Sequence, residues 1–533
     1  MKLELLDCGR LARGCVWLGC LLAASGVVWA KTVYVSLDGD DLKSGLDSWE
    51  NAVASISQGV AKANASGDVV LVSNGTYNLN DVVTVGSGII VTSLYGRTET
   101  FVNGQDTYRC FYINHAGAVL DGFTITNGAG KSGGAVQIAA LGGTVKNCII
   151  TRNRSTQDAG GVKVDGGGML SNCVVSYNSV NMESGWTGGG VGLNNGLIVD
   201  CQIYENHAKA SGGGIYTFMK GVVRRCFISN NYSYITSAGN GGGGMAMRNG
   251  TSLVEVAVAD SVIANNWSAN YGGGLFIWGT ATVARCTIVS NEASYGGGIY
   301  CYLQDPYIVI SNCNISWNYA TNGDGHGGGV YFNKNCFVSG SHIIGNHANR
   351  GAGVIFSVGG ALQNCLVAGN TAYDANGAAV LFYTANYGKI INCTVVSNKS
   401  LGSVYGGVSV RHGGSGIYNT IAQSNRGNAV HPGNDIYSVV DYGYYTGVVY
   451  NSCAYNTNAI TIGANNIAGD AGFANYAAGD FRLKSDSPCI DQGDNQWVAD
   501  GQLDLDGRRR IRYGVVDMGA YEYIRRGTFF NVY

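Results

Sequence analysis

Gly272-Gly273-Gly274-Leu275-Phe276-Ile277-Trp278 is followed, after a short turn, by Arg285-Cys286-Thr287-Ile288-Val289-Ser290-Asn291. Two features of this stretch return along the chain: a glycine cluster opening a short apolar run, and a small residue five places before an asparagine. The pairs are Cys148/Asn153, Cys173/Asn178, Cys201/Asn206, Cys226/Asn231, Ser261/Asn266, Cys286/Asn291, Cys313/Asn318, Ser341/Asn346, Cys365/Asn370 and Cys393/Asn398. Their first members lie 25, 28, 25, 35, 25, 27, 28, 24 and 28 residues apart. Such a period, with one fixed internal spacing, marks a stacked solenoid.

A repeat of this length, built of short strands, cannot bury an apolar face alone. Wound into a coil, each strand pairs in parallel with its equivalent one turn away, about 4.8 Å distant. Equivalent residues then stack, so the asparagines can hydrogen-bond along the axis. The glycines admit a tight turn where a β-carbon or a positive φ is costly. The predicted fold is all-β, a right-handed parallel β-helix of roughly 12–14 rungs, the hand parallel crossovers take. Gly122/Asn127 and Thr420/Asn425 keep the spacing, and Asn451-Ser452-Cys453 reads as a degenerate last rung. A leucine-rich repeat needs regular leucines and a helical side, and the sequence has neither.

Composition agrees. The 533 residues include 83 glycines but only 3 prolines, and 13% are charged, which excludes collagen and charged disordered polymers. A net charge of −2 without a basic block excludes nucleic acid as the expected partner. Lys2, Arg10 and Arg13, the apolar run Val16 to Val28, and Val28-Trp29-Ala30 read as a secretory signal peptide over residues 1–30. No later segment is apolar enough to span a membrane as a helix, so an exported protein, secreted or on the cell surface and monomeric, is expected. Of 16 cysteines, Cys8, Cys15 and Cys20 leave with that peptide. Eight of the rest share one repeat position with Ser261 and Ser341, so a buried thiol ladder is predicted rather than a disulfide framework.

Residues 31–105 read as an N-terminal cap and first coils, 106–470 as the repeats and 471–533 as a C-terminal cap. Exposed strand ends need covering. Trp49 to Ala65 reads as an amphipathic capping helix with Val53, Ile56 and Val60 on one face, ahead of the buried strand Asp68-Val69-Val70-Leu71-Val72. The opening Val33-Tyr34-Val35-Ser36-Leu37-Asp38-Gly39-Asp40, this helix and Asn74-Gly75-Thr76-Tyr77 resemble the start of exported pectate-lyase-like β-helix proteins. Asp480-Phe481-Arg482-Leu483, Ser487-Pro488-Cys489-Ile490-Asp491-Gln492-Gly493, Asp504-Leu505-Asp506-Gly507 and Asp517-Met518-Gly519-Ala520-Tyr521-Glu522-Tyr523 resemble the choice-of-anchor Q domain. That resemblance implies a module closing an exported β-helix. The glycine and Ile/Val-x-x-Asn elements are similar to polymorphic outer-membrane protein repeats, which implies a passenger-like surface stalk.

Alternation places the second and fourth residues after each glycine cluster outward. These include Tyr216, Phe218, Phe276, Trp278, Tyr300, Tyr302, Tyr331 and Tyr383, with Lys163/Asp165 and Ser409/Arg411 towards the ends. Aromatic faces stack on sugar rings, and a rung spacing of about 5 Å approaches a pyranose repeat. The expected function is therefore binding of an extended polysaccharide, a cell-surface glycan or another surface partner, with no cofactor. Loops carrying Glu183, Trp186, Tyr232 and Tyr234 are candidate groove walls.

The alternatives are a passive adhesive protein and a polysaccharide lyase or glycoside hydrolase. A lyase needs a base and a cation such as Ca²⁺, and Asp158, Lys163, Asp165, Asp200 and Glu205 are its candidate residues. Gly325-His326-Gly327 matches a polygalacturonase-like element by letters, but its carboxylate partners are missing. Asp504-Leu505-Asp506-Gly507 resembles a calcium loop with Gln502 at the first-ligand position. Arg508, Arg509, Arg510 and Arg512 are expected on a solvated face.

Overall fold

One repeat makes one coil: strand Leu275–Trp278 after the glycines, strand Ala281–Ala284, a corner at Cys286, strand Thr287–Val289 and a second corner at Asn291. In the computed structural model, residues 30–525 are described apart from 183–186, 238, 249–255, 303–306, 321–322, 334–335, 375–376, 384–386, 404, 411–413, 429–433, 439–446, 456, 458–459 and 461. Residues 1–29 of the signal-peptide segment, Glu183, Trp186 and Arg411 lie outside the described residues. Coils stack into a face sheet of 14 strands, a back sheet of 17 and a side sheet of 16 among the described residues. Shorter sheets of six and four strands follow the ladder asparagines. Coils pair in parallel and in register: Leu275 opposes Ile299, Phe276 opposes Tyr300 and Ile277 opposes Cys301.

Both corners use left-handed backbone. Arg285, before Cys286, has φ 52°, and Ser290, before Asn291, has φ 55°. Asparagine tolerates this region better than other side chains, which accounts for Asn147, Asn172, Asn312, Asn364, Asn392 and Asn419 directly before the ladder position. At the glycine cluster a β-carbon on Gly274 would lie 2.6 Å from the Gly298 carbonyl oxygen of the next coil.

The asparagine ladder is continuous. Asn291 donates from its backbone N–H and its Nδ2 to Oδ1 of Asn318, both at 3.0 Å, and from Nδ2 to the Ile263 carbonyl at 2.9 Å. The same pattern links Asn153, Asn178, Asn206, Asn231, Asn266, Asn291, Asn318, Asn346, Asn370, Asn398 and Asn425, and the buried carboxylate of Asp435 accepts the last pair of bonds. Cys148, Cys173, Cys201, Cys226, Cys286, Cys313, Cys365 and Cys393 are free and buried, forming the second ladder.

The capping helix is shorter than its sequence pattern. Only Ile56–Lys62 is α-helical, and Val53 instead bridges Val35 as an extra strand residue. Asp41 sets the boundary: its carboxylate accepts from the Ala54 and Ser55 N–H groups, and Ser55 Oγ caps Gln58 N. The helix packs so closely on the first coils that a β-carbon on Gly59 would sit 2.6 Å from Val35 Cγ2.

The C-terminal segment lies along the flank of the last coils. Asn364, Asn392 and Asn419 donate their amides to the carbonyls of Leu503, Trp497 and Asp494. Phe473, Leu483, Cys489 and Met518 pack with Leu366, Val396 and Ile421 of the side sheet. Arg510 is fully buried, not solvated: it donates to the carbonyls of Asp517 and Gly519 and pairs with Glu522. Asp504 spends its carboxylate on the N–H groups of Asp506, Arg508 and Glu522, and Asp506 on Arg482 and Arg508, so the stretch is a closed turn.

Candidate functional site: a cleft at the end of the aromatic face

On the face sheet Leu275 and Ile277 enter the core, while Phe276 and Trp278 point away from it. One outward column runs Gln137, Lys163, Gly192, Tyr216, Ala246, Phe276, Tyr300, Tyr331, Ile355 and Leu381. The sequence places these rings outward and leaves open whether neighbouring segments cover them; they do leave the core, but their faces are covered. Tyr216, Phe276, Tyr300 and Tyr331 are only 4, 1, 4 and 9% exposed.

Two physical causes account for the burial. The rings stack on one another: Phe276 on Tyr300 at 6.0 Å with planes 10° apart, and Tyr300 on Tyr331 at 4.7 Å and 24°. Residues just ahead of the glycines also fold back as a lid. Tyr271 lies 4.4 Å from Tyr300, and Tyr295 and His326 meet Tyr331. At the fourth position Phe218, Trp278, Tyr302 and Tyr383 are half-buried. Trp278 is held between the Arg248 guanidinium at 3.8 Å and the Tyr302 ring at 4.5 Å, and Arg350 donates to the Tyr383 hydroxyl.

The column is interrupted at Gly192, one coil from Lys163 and one from Tyr216. The missing side chain leaves a cleft of about 380 Å³ lined by Asp158, Lys163 and Asn194 on the polar side and by Leu193, Tyr216 and Phe218 on the apolar side. Lys163 Nζ lies 2.9 Å from Asp158 Oδ2 and 3.8 Å from Asp165 Oδ2. Ser132 also donates to Asp158. Burial pushes the Asp165 carboxyl up, against the pull of Lys163, and its Oδ1 is buried without a hydrogen-bond partner. Burial likewise pushes the Tyr216 hydroxyl up.

Asp158, Lys163 and Asp165 thus come together, whereas Asp200 and Glu205 do not join them. Asp200 stands at the cysteine corner, gripped at 2.7 and 2.8 Å by Arg225, which holds its carboxyl below the usual range. Glu205 stands at the asparagine corner with φ 53°. Each occupies a left-handed position before a ladder residue, which directs it away from the face. Among the described residues, no three His, Cys, Asp or Glu side chains are grouped to hold a metal ion.

One aromatic column escaped the sequence reading as a column, although Tyr232 within it was a candidate groove wall. The residues after the ladder asparagines, His207, Tyr232, Trp267, Glu292, Tyr319 and His347, stack along the short sheets. His207 lies on Tyr232, and Tyr319 on His347, each at 4.9 Å and nearly parallel. Within these two pairs the ring faces are turned to one another, and Glu292 separates them in the column. The available signal was the aromatic or histidine directly after five of the six asparagines from Asn206 to Asn346.

Fold and cleft together define a β-helical protein with a small polar–aromatic site on its outer face. Residues 134–315 and 261–426 match the family described as "Right handed beta helix region", together more than half of the chain, and the chain belongs to that family. No curated protein sequence matches it. Among solved structures it is similar to pectate lyase Pel9A, with 13% identity, 93% of this chain and 97% of that chain covered, and a TM-score of 0.32. A rhamnogalacturonan lyase gives 12% identity, 84% and 92% coverage and a TM-score of 0.26. The Dettilon tailspike protein gives 11%, 73% and 66%, and 0.33.

Proposed function

We propose that this is an exported β-helix protein that binds an extended polysaccharide at the Lys163–Gly192–Tyr216 cleft, its C-terminal segment bracing the last coils. The observation that carries the reading is the gap at Gly192, which sets a charged wall opposite an aromatic one. Asp158 and Lys163 hydrogen-bond sugar hydroxyls, and the half-buried Phe218, backed by Tyr216, supplies apolar surface for the ring C–H face.

The test is calorimetric titration of the protein from Lys31 onward with neutral and uronate oligosaccharides. Phe218→Ala and Lys163→Met should each weaken binding about tenfold, roughly 1.4 kcal/mol. Unchanged affinity in both variants refutes the site.

A second reading, lysis, is favoured by the Asp158–Lys163–Asp165 group beside the cleft, in which burial raises the Asp165 carboxyl against the pull of Lys163. Ca²⁺ would enter only with this reading. A calcium-dependent rise in the ultraviolet absorbance of unsaturated uronate, lost in Asp165→Asn, establishes it. A flat trace leaves binding alone.

A further inference from the structure

Cys301 and Cys336 stand apart from the thiol ladder. Cys301 occupies an inward column otherwise filled by Met247, Ile277, Phe332 and Phe356. Cys336 occupies one filled by Val256, Ala281 and Ile308. A cysteine occurs once in each run, and the two meet across the turn from the face sheet to the back sheet of consecutive coils. Their Sγ atoms are 3.0 Å apart, closer than unbonded sulfurs rest, and the residues are 0 and 1% exposed.

Ladder thiols have another task. Cys313 donates to the Ser311 carbonyl at 3.2 Å and Cys365 to the Gln363 carbonyl at 3.1 Å. Among the described residues, the thiols of Cys301 and Cys336 have only each other.

We propose that Cys301 and Cys336 are joined by a disulfide that staples two neighbouring coils. The oxidant is another disulfide, protein or small-molecule. One thiol loses its proton and attacks that disulfide, releasing one of its thiols and leaving a mixed disulfide. The second thiolate then attacks the first cysteine's sulfur and expels the oxidant's other thiol. The pair loses two protons and two electrons, and the oxidant gains them as two thiols. Burial confines this exchange to the winding of the coils and shields the finished bond from reductant. Each solenoid coil rests only on its neighbours, so the staple couples two units that otherwise open separately.

The full chain, exported to a bacterial periplasm, is alkylated with N-ethylmaleimide at lysis, again in denaturant, and mapped by mass spectrometry. We expect an intact mass lower by two hydrogens, one linked peptide pair carrying Cys301 and Cys336, and alkylated ladder cysteines. Cys301→Ser and Cys336→Ser should each abolish the linked pair and leave the other cysteine alkylated. Cys301→Ala with Cys336→Ala should keep the far-ultraviolet spectrum and unfold at lower denaturant than the stapled protein. Full alkylation of both cysteines at the denaturant step, without prior reduction, overturns the proposal, as does linkage scattered evenly over the ladder cysteines.

Discussion

Ser261 shows why one repeat position accepts two residue types. Its Oγ accepts from the Cys226 N–H at 3.1 Å and donates to the Ala259 carbonyl at 2.7 Å. Cys173 does the same with sulfur, accepting from the Cys148 N–H at 3.4 Å and donating to the Ser171 carbonyl at 3.2 Å. The position selects a small group that is both donor and acceptor, so Cys173→Ser should leave the denaturant midpoint nearly unchanged. Cys173→Ala strands a buried N–H and should cost about 1–3 kcal/mol. The asparagine ladder is less forgiving. Asn291 Oδ1 accepts two bonds from Asn266 while its Nδ2 serves Ile263 and Asn318. Asn291→Ala strands several groups at once and should cost about 3 kcal/mol or more, since each buried unpaired group carries its own penalty. Equal midpoints for the two alanine variants would contradict this ranking.

At the scale of the element, the aromatic face acts first as packing. Alternation in the sequence separates Phe276 from Ile277 correctly, because a strand has only two sides. It says nothing of Tyr271 and Tyr295, which precede the glycines where the repeat imposes no rule, and these are the rings that close over the sheet. The cleft was half legible for the same reason: Lys163 lies on the regular strand and Asp165 directly after it, but a gap at Gly192 gains meaning only once its neighbours are placed one coil away. Tyr300→Ala should therefore destabilise the protein by about 3 kcal/mol, as a buried aromatic truncation does, rather than merely remove a surface ring. His326 adds a pH dependence. Burial, helped by Arg350 and opposed by Asp324 and Asp374, lowers its titration from 6.5 to about 4. The folded state favours the neutral ring, so this contribution is fully present above pH 6.5 and is lost as pH falls through about 4. Thermal scans across that window should show the loss, and His326→Gln should flatten it.

For the whole molecule the question is how far one end feels the other. The period in the sequence is enough to specify stacking, because every rung poses the same burial problem and the same answer solves it. The direction in which the C-terminal segment folds back is not periodic. It depends on single matches such as Asn419, whose amide donates to the Asp494 carbonyl while its Oδ1 accepts the Asp494 N–H, and Thr394, whose hydroxyl accepts the Ala520 N–H. Removing the segment after residue 470 bares Leu366, Val396 and Ile421 and deprives three corner asparagines of their partners. Stability in a solenoid is close to a sum of coil and nearest-neighbour terms. The truncated chain should accordingly lose hydrogen-exchange protection over the coils from Cys365 to Asn425 while those from Val136 to Asn291 keep theirs. Loss of protection along the whole length would instead mean that the stack opens as a single unit and that the flank segment holds all of it, a coupling that nearest-neighbour packing cannot transmit.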